Sequence, residues 1–436
     1  MRRQSRFGGR VAPGAVARPR GRVGRCTTLA AASVALLTLV LAAAPTAAAA
    51  SGTAAPDLHV SGASLIVEST GQQLYGVNAN AELAIASTTK IMTALITLQH
   101  VKNLDTWFTQ NDWYPAAADS QLGLVPGDRM TVHDLLEAML LPSADDAAED
   151  LAYNVGGGSV GRFVGMMNAE ARKLGLTRTH YSTPVGLDTP GNYASPSDLV
   201  RLAAYVLRTE PFFRRVVDRS SATLVTGPVR IVANRNDLVG RVPWINGVKT
   251  GHTADAGYVL VASGTRDGMT LVGAVLGTAS EAARDQNALA LLDYGFDEFH
   301  TVRPVKADSV LARPPVTDTS GVHDAVVASA SFARIVKRSD RVETRVSVPT
   351  QLAGPLPRHA IVGQVTVLID GRPVDRIPLL LTRALPAISP LTLAGRFLTK
   401  APTLLSLGAL LAIALAVAAR RRGRVPAPAG DRLEAR

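Results

Sequence analysis

Cysteine is almost absent from this chain of 436 residues: Cys26 is the only one. It lies inside an N-terminal export segment, so a mature chain starting after Ala50 has no disulfide and no thiol chemistry. Val23-Gly24-Arg25 before it is not a lipoprotein cleavage box. The eight histidines lack metal-ligand spacing, which predicts no metal and no cofactor. No internal repeat is visible. Basic charge is missing where a nucleic-acid face would need it. The formal net charge is +11, yet eight arginines before residue 26 carry +8 and the tail from Arg420 carries +4. The remainder is −1, so the globular part is close to neutral and nucleic acid is not an expected partner.

Charge is absent again from Cys26 to Ala50, where Leu36, Leu37, Leu39, Val40 and Leu41 make an apolar centre. The arginine-rich start, that run and Ala48-Ala49-Ala50 predict a secretory signal peptide over residues 1–50. An uncleaved anchor is the alternative; Pro45 and the alanines after it favour cleavage. Nineteen uncharged residues separate Lys400 from Arg420, about 28 Å as a helix, which is enough for a bilayer's hydrocarbon core. Arg420, Arg421, Arg422 and Arg424 follow at once. This predicts a transmembrane helix over 401–419, a cytoplasmic basic tail over 420–436, and a globular part held outside the membrane.

Between these ends, residues 58–78 alternate apolar and polar positions around Gly71, as a hairpin does. Thr131 with Asp134 opens a helix through Leu135, Leu136, Met139 and Leu140 that must break near Pro142. A second helix is expected from Asp145 to Val155, and another after Ser195-Pro196-Ser197-Asp198, with proline at its first position. Residues 257–262 and 269–276 are apolar, β-branched runs parted by Thr265-Arg266-Asp267-Gly268, a strand–turn–strand signal. Strand, helices, then strands predict an α+β domain over residues 51–299. From 300 to 386 prolines are frequent and helical periodicity vanishes. Val365-Thr366-Val367-Leu368-Ile369 before Asp370-Gly371 signals another hairpin there. A small β-rich domain is expected, with a spacer or docking role, followed by a juxtamembrane linker over 387–400.

Chemistry begins at Ser87-Thr88-Thr89-Lys90. Residues three apart share a helix face, so the Lys90 amine can fold back onto the Ser87 hydroxyl. Ile91, Ala94, Leu95 and Leu98 recur at helical spacing and imply burial. Burial lowers a lysine's pKa toward the neutral amine that can take a proton from serine. Alone the pair is a weak signal, since a capping serine before a solvated lysine has the same spacing. Ser143-Ala144-Asp145 falls at a junction of two helices, where a helix cap is an equal alternative. Lys249-Thr250-Gly251-His252-Thr253 leads into a strand. Its charge and hydroxyl suit a carboxylate, and its glycine lets a peptide backbone approach. Gly157-Gly158-Ser159-Val160-Gly161 matches a serine-hydrolase elbow, but a helix precedes it, and Ser159 more simply caps the next helix.

In order and spacing, Ser87-x-x-Lys90, Ser143-x-Asp145 and Lys249-Thr250-Gly251 resemble the three motifs of penicillin-recognising serine enzymes. Within that group the chain looks like the D-alanyl-D-alanine carboxypeptidases. Ala84-Ile85-Ala86, Leu140-Leu141-Pro142-Ser143, Pro184-Val185-Gly186-Leu187-Asp188 and Asn246-Gly247-Val248 agree with that resemblance. It is strong over residues 58–300 and mainly architectural beyond. It implies a penicillin-binding/β-lactamase-like catalytic domain, an antiparallel sheet with a helical subdomain, acting at the bacterial cell membrane. Ser87 would attack the terminal D-Ala-D-Ala bond of a peptidoglycan stem peptide, with neutral Lys90 taking its proton and Ser143 relaying it. Lys249 and Thr250 would hold the terminal carboxylate, with Gly251 and Thr253 beside them. The backbone N–H groups of Ser87 and His252 would cradle the oxyanion. β-Lactams would be covalent inhibitors.

One residue departs from the family's pattern: its middle motif usually ends in asparagine, and this chain has Asp145. An amide donates and accepts, whereas an ionised carboxylate only accepts. A carboxylate there is expected to favour protonated Lys90 or Lys249. A catalytically weak wall-binding or β-lactam-sensing protein is therefore the competing expectation. A β-lactamase would need a carboxylate to activate water for deacylation, and no glutamate motif for that is evident.

Overall fold

The computed structural model describes residues 55–387 except 117–118, 228 and 318–322, and further on residues 390, 394–395 and 401–422. The expected signal peptide, most of the linker and the end of the basic tail lie outside the described residues.

The first two strands, β1 (Gly62–Val67) and β2 (Gln73–Val77), form the expected hairpin. Three late strands join them: β3 (Ile245–Thr253), β4 (Gly257–Arg266) and β5 (Met269–Thr278). The antiparallel sheet runs in the order β2-β1-β5-β4-β3. The turn between β4 and β5 carries positive φ at both Asp267 and Gly268, 50° and 74°, as a tight hairpin requires. Every position of β1 is buried, which corrects the expected alternation of an apolar and a wet face. Its two faces pack into different cores. Leu65 and Val67 join Leu291 and Leu292, whereas Ile66 joins the helical core with Leu95 and Leu199. Period-two alternation is still at work, but both faces are covered.

Helices fill the long insertion between β2 and β3. Residues Ala86–Thr89 make one 3-10 turn, then α1 spans Lys90–His100. α2 (Val132–Leu140) starts where Thr131 Oγ1 accepts from the Asp134 amide, as the capping pattern predicts. α3 (Asp145–Val155) follows after a sharp junction, then α4 (Val160–Lys173), capped by Ser159. α5 (Pro196–Thr209) begins at Ser195 with proline at its start, and α6 (Pro211–Val217) follows it. After the sheet, α7 (Glu281–Glu298) lies across β4 and β5.

Chain direction then changes to an all-strand unit: β6 (Phe299–Val305), β7 (Val310–Ala312), β8 (Val326–Ala328), β9 (Phe332–Lys337), β10 (Val342–Ser347), β11 (Ile361–Ile369) and β12 (Arg372–Leu381). Five of these form the sheet β7-β8-β12-β11-β10, while β6 pairs with β9. Its own core includes Val326, Val365, Val367, Leu379 and Leu381. The β11–β12 turn is the expected Asp370-Gly371, again with both φ positive. A final helix, α8 (Ala401–Arg422), is long and apolar enough to cross a membrane.

Candidate active site

Ser87 sits in the 3-10 turn, not in α1 itself. In a 3-10 helix residues i and i+3 eclipse, so the turn aligns Ser87 with Lys90 more directly than an α-helix would. The turn starts from a strained residue: Ala86 has φ 45°, a region that non-glycine residues rarely occupy. It is held there by the loop at Gly186. A Cβ on Gly186, whose φ is 92°, would stand 2.0 Å from the Ala86 carbonyl oxygen. Gly186→Ala is accordingly expected to cost roughly 1–3 kcal/mol and to displace Ser87. A thermal melt with a parallel activity assay checks this: unchanged values in both would contradict the contact.

Lys90 is wholly buried at the start of α1, and its Nζ lies 2.8 Å from Ser87 Oγ. It also reaches Asp145 Oδ1 at 2.5 Å, the Val185 carbonyl at 3.1 Å and Ser143 Oγ at 3.4 Å. Ser143 occupies the junction of α2 and α3 with φ 69°, a second left-handed residue at the site. Its hydroxyl accepts from Lys249 Nζ at 2.9 Å, and Lys249 also donates to its neighbour's carbonyl, Thr250 O. Three distant segments thus meet in one network: Ser87 and Lys90, Ser143 and Asp145, and Lys249. β3 closes against the Ser87 turn because Gly251 has no side chain. A Cβ there would stand 2.8 Å from the Ser87 amide nitrogen.

The cleft over these groups has a volume of about 720 Å³. Ser87, Ser143, Asp145, Thr250, Gly251, His252 and Thr253 all line it. The exposed His252 ring packs on Tyr258 with centroids 4.0 Å apart. Thr253 Oγ1 accepts from the Ala256 amide, which fixes the turn into β4.

Burial dominates the electrostatics. It pushes Lys90 below the usual lysine range, against the pull of Asp145. Lys249 is pushed well below that range, first by burial and then by the neighbouring charges of Lys90 and Arg235. Asp145 is raised by burial and pulled back by Lys90. The expectation that Asp145 holds the lysines protonated is therefore corrected in size: the carboxylate acts in that direction, and desolvation outweighs it. Asp145 opens α3 and faces the cleft at once, so cap and cleft residue are not alternatives here.

Several residues of the site carry no motif. Asp119, Ser120, Arg235, Glu281 and Arg284 also line the cleft. Asp146, wholly buried, accepts from the amides of Leu122, Gly123 and Leu124, and so pins the loop that brings Asp119 and Ser120 to the mouth. An acidic pair opening a helix was the one available signal, and it reads equally as a response to the helix dipole. Among the described residues, His133, Asp134 and Glu137 are the one group close enough to share an ion. Their oxygens are already committed: Glu137 pairs with Arg219 at 2.6 Å, and Asp134 accepts from the Val225 and Thr226 amides.

The sequence matches the D-alanyl-D-alanine carboxypeptidase family over residues 49–280. D-alanyl-D-alanine carboxypeptidase DacC of Escherichia coli (strain K12) is 33% identical over 360 residues, covering 77% of this chain and 87% of that protein. The chain belongs to this family. A D-alanyl-D-alanine carboxypeptidase of Streptomyces sp. (strain K15) is 36% identical, over 55% of this chain and 88% of that one. Among solved structures, penicillin binding protein 5 from Haemophilus influenzae superposes with TM-score 0.59 at 26% identity, covering 76% of this chain and 98% of its own. The Streptomyces K15 DD-transpeptidase gives TM-score 0.53 at 36% identity, covering 55% and 98%. This carboxypeptidase thus has the penicillin-binding fold, and the resemblance seen in its three motifs extends to its antiparallel sheet and helices.

Proposed function

We propose that this carboxypeptidase removes the terminal D-alanine of peptidoglycan stem peptides through an acyl-enzyme on Ser87. The observation that carries the reading is the reach of one buried amine, Lys90 Nζ, to both Ser87 and Ser143. Burial holds Lys90 toward its neutral form, which can accept the Ser87 proton as Oγ attacks the penultimate D-Ala carbonyl. Ser143 then passes the proton to the leaving amine, the peptide bond breaks, and water hydrolyses the ester. Thr250 would hold the substrate's terminal carboxylate, with Gly251, His252 and Thr253 along the cleft wall and the Lys249 charge just behind it, donating to Ser143 Oγ. The Ser87 and His252 amides would receive the oxyanion. β-Lactams, which mimic that carbonyl and carboxylate, would acylate the same serine.

The domain scheme follows the same reading: signal peptide 1–50, catalytic domain 51–299, β-rich domain 300–386, linker 387–400, membrane helix 401–419 and basic tail 420–436. The arginines that follow the apolar stretch of α8 favour an extracytoplasmic globular part. A second reading, a weakly catalytic penicillin-binding or sensing protein, is favoured by the Lys90–Asp145 contact, which opposes loss of the lysine's proton.

Incubation of the purified chain with a peptide ending in D-Ala-D-Ala tests the first reading. Stoichiometric, continuing release of D-alanine is expected; binding without release would select the second. Deleting residues from Lys400 onward is expected to yield a soluble protein of unchanged activity. A truncated protein that still sediments with membranes after signal cleavage would overturn the anchor.

A further inference from the structure

Asp145 presents a carboxylate to the cleft, in place of the asparagine that usually ends the motif it resembles. Its Oδ1 accepts from Lys90 Nζ at 2.5 Å, and its Oδ2 has no hydrogen-bond partner among the described residues. Only 6% of the side chain reaches solvent, and that part lines the cleft beside Ser87 and Ser143. Lys90 Nζ bridges Ser87 Oγ and Asp145 Oδ1, so these oxygens lie no further apart than the two contacts together, 2.8 and 2.5 Å. Two hydrogen bonds of about 2.8 Å to one water bring their partners within about 5.6 Å of each other, so a carboxylate this near Ser87 Oγ can hold a water against an ester on Ser87.

We propose that Asp145 is a catalytic residue of deacylation, the base that takes a proton from the water hydrolysing the Ser87 acyl-enzyme. It follows that the chain turns over β-lactams instead of remaining trapped by them. The proposal rests on the Ser87 acyl-enzyme of the preceding section. As the water oxygen bonds to the acyl carbon, its proton passes to Asp145. The tetrahedral intermediate then expels Ser87 Oγ, which takes a proton from Lys90 Nζ as Asp145 passes the water's proton across the short contact to that amine. The acid product gives up its own proton to solvent, and the Ser87 hydroxyl, neutral Lys90 and ionised Asp145 that began acylation return. No other reactant is needed. An asparagine amide in this place has no basic site for the water's proton.

Division of labour between the two bases follows from charge. Acylation needs neutral Lys90, whereas the carboxylate remains a base while Lys90 is an ammonium. The charged groups facing Asp145 are Lys90 on α1, Lys249 on β3, Asp119 in the mouth loop and Glu149 one turn along α3. The two lysines favour its ionised form and the two acids oppose it.

The test is the lifetime of the penicilloyl adduct on Ser87, followed by mass spectrometry on the full chain after excess penicillin is removed. At neutral pH the adduct on Asp145→Asn is expected to outlast that on the natural protein by about a hundredfold, the loss typical of a missing general base. The variant's acylation rate is expected not to fall, which separates lost chemistry from a damaged site. Equal lifetimes, or a shorter one in the variant, would overturn the proposal while leaving Ser87 in place. A second measurement needs no variant. In the natural protein, adduct loss should persist below the pH at which acylation fails. Parallel pH profiles for the two steps would make Lys90 the base of both and overturn the assignment. No adduct on Ser87 at all would overturn the acyl-enzyme reading itself.

Discussion

Ser87→Ala is expected to abolish D-alanine release and penicillin labelling together, a loss of at least about a thousandfold, while the protein still folds. The substitution removes one acceptor from Lys90 but leaves its contacts with Asp145, Ser143 and the Val185 carbonyl. No charge is stranded, and the half-buried Ser87 leaves only a small void. Circular dichroism and a thermal melt should therefore match the natural protein. Retained release in the variant would mean that another group attacks the substrate. Release lost together with the fold would leave a structural role for Ser87.

Asp145→Asn is the second large effect, and its sign can be worked out. In the proposed mechanism acylation requires neutral Lys90, so its rate should rise with pH through the titration of that amine. Burial lowers the Lys90 pKa, and Asp145 partly raises it again. Removing the carboxylate removes only the raising influence, so the rising limb should move toward acid, and acylation at a given pH below it should be faster. The restored amide also regains a donor for the substrate's peptide carbonyl. Stopped-flow acylation by a chromogenic β-lactam at several pH values decides the matter. Superimposable profiles would mean that Asp145 does not modulate acylation.

Much of this candidate site was legible in the sequence because its residues fall in short motifs, each confined to one turn or one strand. Ser87 and Lys90 meet across one helical turn, and Lys249, Thr250 and Gly251 lie in consecutive positions of β3. The capping patterns at Thr131, Ser159 and Ser195 were equally local, and all three form. Residues that act from a distance left no such trace. Arg235 reaches the cleft from a loop between small elements, and Asp146 works by collecting amides more than twenty residues away. Nor could spacing give the balance of forces on Lys90. A carboxylate next to a lysine predicts a raised pKa, and only complete enclosure of the amine reveals that desolvation is the larger influence. The two-sided burial of β1 escaped for a similar reason. Ser64 reads as a wet position, yet it is buried in the middle of the sheet between its hairpin partner β2 and β5, which arrives some two hundred residues later.

The central claim is that one serine, in one strained turn, carries the chemistry. Its most direct test is peptide mapping by mass spectrometry of the full chain, quenched in denaturant within the first seconds of exposure to penicillin. A single penicilloyl adduct on Ser87, one per chain and absent from Ser87→Ala, is the predicted result. An unmodified protein, or an adduct on Ser143 or any other residue, would contradict it.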